Sequence, residues 1–278
     1  MSILWTAMPI IPSVLLVFDV ETSGLDARTH EILELASVCL VFDTKQRCYR
    51  QLANSEFKRF VRPQHAPSPH ITRINGITPA MVAHAAPFAR VFRDWQAHVE
   101  RCVRRCGGCS VILVAHNARF DVEFLRQATQ KLGQQELRIG GQVMGVIDSL
   151  QLARSTKKWP FPLLKTQSGL PSYRLASIYQ AATNWQLEGA HSALADARAV
   201  ATVLMSAPVA NVLISNIEAN IFVPMHGGRS GRCAAAASKI RKIPQLLAPA
   251  ASNADSRNLN SEVKSARRRG DLAVIQSR

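Results

Sequence analysis

Apolar positions along the chain change period partway, and the change divides it into regions. Residues 13–20 (SVLLVFDV) and 31–42 (EILELASVCLVF) are apolar runs bounded by turn residues, and each predicts a buried strand. TSGLDARTH connects them as a turn. SEFKRFV (55–61) predicts a third strand that stops before Pro63. Three successive strands on short connections predict an antiparallel meander. The period then becomes helical. PHITRI and TPAMVAHA read as short helices, with Thr78-Pro79 a start signal. Residues 87–103 place Val91, Phe92, Trp95 and Val99 on one stripe of a longer helix. SVILVAH (110–116) predicts a strand, residues 118–132 a helix, VMGVID (143–148) a fifth strand, and SLQLAR its continuation. Residues 154–172 form a polar, Pro-interrupted loop, and helices over 174–182 and 191–205 follow. A meander followed by β-α-β units predicts an α/β fold: a mixed five-stranded sheet with helices on both faces. Beyond about residue 206 the periodicity fades. The organisation read from this pattern is an N-terminal extension (1–12), a domain (13–206) and a disordered, basic, Ala/Ser/Arg-rich tail (207–278).

Composition narrows the classes. Of 278 residues 47% are hydrophobic and 19% charged, which excludes wholesale disorder, and 14 Gly with 14 Pro excludes collagen-like repeats. Net charge is +15, which points to a polyanionic partner, nucleic acid before an anionic membrane surface. The tail holds 11 Lys+Arg against 4 Asp+Glu, so nearly half the excess lies on about a quarter of the length. Six cysteines, at 39, 48, 102, 106, 109 and 233, show no regular framework, and a reduced, intracellular setting is expected. His98, Cys102, Cys106 and Cys109 have ligand types suited to zinc. Their C-x3-C-x2-C spacing lacks a second pair, so a helix closing at Gly107-Gly108 is the preferred reading. Met1–Phe18 carries no charge, but Pro9 and Pro12 interrupt it and the first basic residue is Arg28, so neither a secretory signal, a transit peptide nor a membrane span is expected.

Four acidic residues lie at the ends of predicted elements. Asp19 and Glu21, one residue apart at a strand end, share a face. Two carboxylates so close stay ionised most easily around a divalent cation. Asp121 opens a helix after an apolar strand, where the helix dipole alone would favour it. If that strand runs parallel to the first, their carboxyl ends form one edge and Asp121 approaches Asp19. His191 and Asp196, five apart, would diverge by roughly 140° on one continuous helix. They converge if His191 lies in the loop before the helix and Ser192 is the N-cap.

D-x-E, HN-x-x-FD and H-x4-D, in that order, resemble the signature of the DEDDh (DnaQ-like) 3′-5′ exonucleases. DVETSGLD, HITRINGIT-x-x-MV, VIDSLQLAR and YRLASIY resemble the same family's connecting segments, and the likeness spans about residues 13–206. It is closer to proofreading epsilon subunits and ribonuclease T-like enzymes than to oligoribonucleases. Ser192 stands where a tyrosine-type member would carry Tyr, with His191 in the histidine-type position. The resemblance implies a ribonuclease H-like exonuclease domain in which Asp19, Glu21, Asp121 and Asp196 hold two Mg²⁺ or Mn²⁺ ions. It implies that His191 is the general base for the attacking water. Thr22, Ser23, Gly24 and Leu25 would meet the terminal nucleotide through backbone N–H groups and an apolar wedge. Asn117 and Phe120 would flank the cleft. Nucleoside 5′-monophosphates would leave from a free, single-stranded 3′ end of DNA or RNA.

Binding features beyond the motifs are less specific. Arg101, Arg104 and Arg105 suit phosphates but also complement a helix C-terminus. Lys157, Lys158, Trp159 and Lys165 mix charge with an aromatic, as single-strand binders do. SKIRK and SARRRG in the tail suit nonspecific nucleic-acid binding, nuclear import, or docking to a polymerase or other protein. A noncatalytic nucleic-acid-binding or scaffold protein on the same fold would be marked by loss of a carboxylate or of the base. All five are present here.

Overall fold

The computed structural model describes residues 14–107, 110–134, 137–140, 143–155 and 160–218. The N-terminal extension, Cys109, the Lys157-Lys158-Trp159 segment and the tail from 219 onward lie outside them.

Strand β1 (Val14–Thr22) is the centre of the sheet. It pairs antiparallel with β2 (Ile32–Asp43) and parallel with β5 (Val111–Ala115), which in turn pairs parallel with β6 (Val143–Asp148). Two short strands, β3 (Cys48–Gln51) and β4 (Phe57–Phe60), share the far edge of β2. The order is β3-β2-β1-β5-β6 with β4 beside β3, giving six strands in five positions across the sheet. The extra strand is β3, whose four residues are too few for a periodic signal. It pairs with the outer half of β2, at Leu40–Asp43, while β4 pairs with Glu34–Ser37.

Helices cover both faces. α1 (Pro69–Asn75), α2 (Pro79–Ala83) and the 18-residue α3 (Phe88–Arg105) follow β4. α4 (Ala118–Gln130) joins β5 to β6, and α5 (Ser149–Ser155), α6 (Leu175–Thr183), α7 (Ala193–Met205) and α8 (Ala207–Glu218) come after. Strand alternation assigns the two cores. Val14, Leu16, Phe18 and Val20 pack with Val91, Phe92, Trp95 and Val99 of α3 and with Phe124 and Leu125 of α4. Leu15 and Val17 point the other way, toward Ala197, Val200 and Leu204 of α7. Asp19 and Glu21 continue this second series, so the alternation of one strand carries both acids to the α7 face.

Helix α8 corrects the expectation that a disordered tail begins at 207. Val209, Leu213, Ile214 and Ile217 are buried in the same core as α7. Their spacing makes one apolar stripe. Among the described residues no single helix is long and apolar enough to cross a membrane; α7 and α8 meet at 87° and are packed in the core.

Candidate active site

The site forms where β1 ends. A shift of register between Glu21 and Thr22 breaks the ladder to β2 beside the acids, and such irregularities re-aim side chains. One ligand oxygen from each of Asp19, Glu21 and Asp196 lies within 4.8 Å of the other two. Among the described residues this is the only group of His, Cys, Asp and Glu side chains with metal-ligand spacing. Burial, then the charges of Asp121, Asp196, Glu21 and Glu34, hold the Asp19 carboxyl well above its usual range. Burial, Asp196 and Glu34 push Glu21 up to about 8 against an opposing hydrogen bond from Asn75. Burial raises Asp196 as well, although the His191 N–H bonded to it works the other way. Clustered, partly desolvated carboxylates stay fully ionised only with a compensating positive charge. An all-oxygen set of this kind fits a hard divalent cation.

Asp121 sits beside this group but outside the 4.8 Å set. It is 3% exposed in the first turn of α4, and its Oδ1 accepts the Val20 backbone N–H at 3.1 Å. Burial raises it to about 8, opposed by that hydrogen bond. The start of α4 is itself held from β6. Asn117, its N-cap at φ 64°, makes no side-chain cap. Asp148 Oδ1 instead accepts the N–H of Asn117 and that of Leu150, each at 2.9 Å. Next to it, the His116 ring lies 3.0 Å from both Ser149 Oγ and the Tyr173 carbonyl oxygen.

His191 precedes the Ser192 N-cap of α7 and adopts φ 67°, left-handed backbone rare for a residue with a side chain. Its N–H donates to Asp196 Oδ2 at 3.2 Å, joining the two residues in one turn. Ser192 occupies the expected N-cap position but does not cap with its side chain. Its Oγ accepts from Lys58 Nζ at 3.2 Å. Glu34 Oε2, on β2, takes the N–H of Ala193, the first helical residue, at 2.9 Å. Glu34 is 1% exposed and is the cross-strand partner of Glu21.

The TSGL turn closes the other side. Thr22 Oγ1 donates to the Gly24 carbonyl at 2.7 Å, and Ser23 Oγ accepts the Glu31 N–H at 2.9 Å. Ser23 N–H donates to the Glu31 carbonyl at 2.8 Å, so that N–H is engaged within the protein and not free for a nucleotide as expected. A Cβ on Gly24 would stand 2.1 Å from the His30 ring, so any larger residue there requires that ring to move. Leu25 is 86% exposed, and Asn75 Nδ2 donates to the Thr22 carbonyl at 3.4 Å. Phe120 packs toward the core on Phe124, the rings tilted by 49° with centroids 4.8 Å apart, while Asn117 is exposed.

The remaining expectations resolve locally. Arg104 pairs with Glu100 at 2.8 Å and Arg105 Nη1 donates to the Ala53 carbonyl at 2.9 Å, while Arg101 lines a groove with Arg59, Asp94 and His98. His98 faces the Ser55 carbonyl at 3.0 Å and Cys102 Sγ at 3.7 Å, and no zinc-like group forms there among the described residues. Sequence reasoning missed Glu34, Lys58 and Asp148. The available signals were a lone acid inside a buried apolar strand and an acid at a strand's carboxyl end.

Residues 16–204 match the RNase_T family of exonucleases. The chain therefore belongs to that family of exonucleases, with a DnaQ-like fold and an acidic cluster that fits a metal site. It is similar to the PolC-type DNA polymerase III of Halalkalibacterium halodurans, 30% identical over 201 residues, which covers 71% of this chain and 11% of the polymerase. The Listeria innocua counterpart is 33% identical, over 66% of this chain and 10% of the polymerase. The chain thus spans about a tenth of the length of these relatives. Among solved structures, Exonuclease I from Methylocaldum szegediense superimposes with a TM-score of 0.55 at 24% identity, covering 73% of this chain and 43% of that one. E. coli Exonuclease I in complex with a dT13 oligonucleotide gives 0.55 at 18% identity, covering 75% and 42%. At these identities the likeness is one of fold.

Proposed function

We propose that the protein removes nucleotides from single-stranded 3′ ends as 5′-monophosphates, using two divalent cations, Mg²⁺ or Mn²⁺. The convergence of Asp19, Glu21 and Asp196 within 4.8 Å carries this reading. These three would hold the cations, with Asp121 completing the set from α4. Cations bound there supply Lewis-acid activation of water and charge stabilisation at the phosphodiester and leaving oxygen. His191, exposed on its loop and tied to Asp196 through its N–H, accepts the proton of the attacking water. Leu25, projecting beyond the turn, wedges against the terminal base, and Asn117 and Phe120 border the strand. Single-stranded DNA is the favoured substrate, because E. coli Exonuclease I, which shares the fold, is seen with dT13.

Side-by-side digestion of 5′-labelled DNA and RNA, single- and double-stranded, with Mg²⁺ or Mn²⁺, tests it. The expected result is stepwise shortening from the 3′ end, fastest on single-stranded DNA and abolished in Asp19→Ala. Undiminished cleavage by folded Asp19→Ala overturns the metal assignment. Similarity to PolC-type polymerases supports a second reading, association with a polymerase through the region beyond α8. Unchanged copurification after deletion of residues 219–278 would end that one.

A further inference from the structure

We propose that Glu34, together with Lys58, is a positioning residue that sets the place of His191 over the carboxylate cluster. The inference rests on the base assignment made above for His191. Its starting point is an arrangement that local chemistry does not require. Ser192 stands at the N-cap of α7, and a serine there would normally accept an N–H of the first turn with its own hydroxyl. Here the hydroxyl is turned to Lys58 Nζ, 3.2 Å away, and the N–H of Ala193, the first helical residue and out of reach of an N-cap side chain, goes to Glu34 Oε2 at 2.9 Å, across 159 positions of sequence. Holding the start of α7 from β2 in this way is costly. Glu34 is 1% exposed and lies directly opposite Glu21 on the neighbouring strand, so a negative charge is buried beside other negative charges. Lys58 offsets part of the cost: its Nζ lies 2.9 Å from Glu34 Oε1, an electrostatic contact outside hydrogen-bond geometry.

What the arrangement achieves is register between elements. A serine cap would fix only where α7 begins. A cap from β2 fixes where α7 begins relative to the sheet, and β2 is the strand paired with Asp19 and Glu21. Three consecutive residues are then tied: His191 through its N–H to Asp196, Ser192 through its hydroxyl to Lys58, and Ala193 through its N–H to Glu34. His191 sits in left-handed backbone, φ 67°, which the flanking ties hold in place. Glu34 lies outside the 4.8 Å carboxylate set, although its charge reaches Asp19 and Glu21; its effect on turnover at saturating metal is assigned to the placement of His191.

A double-mutant cycle tests this. Glu34→Ala, Glu34→Gln, Lys58→Met, His191→Ala and the double variant Glu34→Ala/His191→Ala are compared in kcat, KM for a single-stranded oligonucleotide, Mn²⁺ affinity by calorimetry, and hydrogen exchange at the Ala193 amide. At saturating Mn²⁺, Glu34→Ala should lower kcat about 30-fold with KM within about twofold of wild type, and should unprotect the Ala193 amide. Glu34→Gln, which keeps an acceptor for that amide, should recover much of the loss. The double variant should be no slower than His191→Ala alone, since a positioning residue has nothing left to position. Multiplying losses in the double variant at saturating Mn²⁺ would overturn the proposal while leaving the base assignment standing. Wild-type turnover in His191→Ala would overturn both. If Glu34→Ala does not fold, Lys58→Met carries the same cycle with His191→Ala, and wild-type turnover in Lys58→Met overturns the role.

Discussion

Asp121 Oδ1 accepts the Val20 N–H at 3.1 Å, joining residues 101 positions apart. The contact pins the first turn of α4 to the strand that carries Asp19 and Glu21, and it accounts for a carboxylate 3% exposed in the interior. Asp121→Asn keeps an oxygen for this bond and removes the charge. The variant should match or exceed wild-type Tm in EDTA at pH 8, bind Mn²⁺ more weakly, and lose exonuclease activity by at least about 100-fold. Calorimetry and a gel assay on one preparation measure all three, and retained activity would sink the role given to Asp121.

The raised carboxyl groups give the metal-free protein a pH dependence of definite sign. Glu21 moves from 4.5 to about 8 and Asp121 from 3.8 to about 8 on folding, so the native state holds protons that the unfolded chain has released. Stability is fully present below about pH 4 in respect of these groups and declines as pH rises toward about 8. Tm in EDTA should therefore fall between pH 5 and 8, and saturating Mn²⁺ should flatten or reverse the slope. A metal-free Tm that rises across this interval would contradict the shifts.

Asp148 should matter without touching the acidic group. Its Oδ1 takes two backbone N–H groups, those of Asn117 and Leu150. Asp148→Ala should cost about 1–2 kcal/mol by urea denaturation, the scale of a lost helix cap. It should also lower turnover, because Asn117 begins the helix that holds Asp121.

Trp95 anchors the opposite face of β1. Its Nε1 donates to Ser37 Oγ at 2.8 Å in a fully buried pair, and its ring packs on Phe18 and Phe92. Trp95→Phe strands the serine hydroxyl and should cost about 1–3 kcal/mol. Trp95→Phe/Ser37→Ala should recover part of that loss, measured by the same unfolding curves.

Helix α8 predicts a boundary later than the one its composition suggests. Leu213 is fully buried between α8 and the rest of the second core. Leu213→Ala should cost about 2–5 kcal/mol, and a chain ending at residue 206 should unfold at lower temperature than one ending at 218. Equal Tm values for the two would show that α8 adds nothing.

Much of this was legible in the residues alone. Alternation along residues 14–22 places Asp19 and Glu21 on one face, and the order D-x-E, HN-x-x-FD, H-x4-D marks the five chemical groups. The apolar stripe of α3 and the strand-helix alternation after it identify a mixed sheet. Short or compositionally masked elements escaped: β3 has four residues, and the stripe of α8 is hidden where Ala- and Ser-rich sequence begins. What tertiary structure alone decided is which distant groups meet. A buried acid in β2 looks from sequence like any interrupted apolar run, yet it accepts the first helical N–H of α7 across 159 positions, and Ser192, locally suited to cap the next amides, turns to Lys58. Periodicity reports which face a side chain occupies because that follows from backbone geometry. The partner it finds there depends on how strands and helices from distant segments pack, and only the folded chain brings those together.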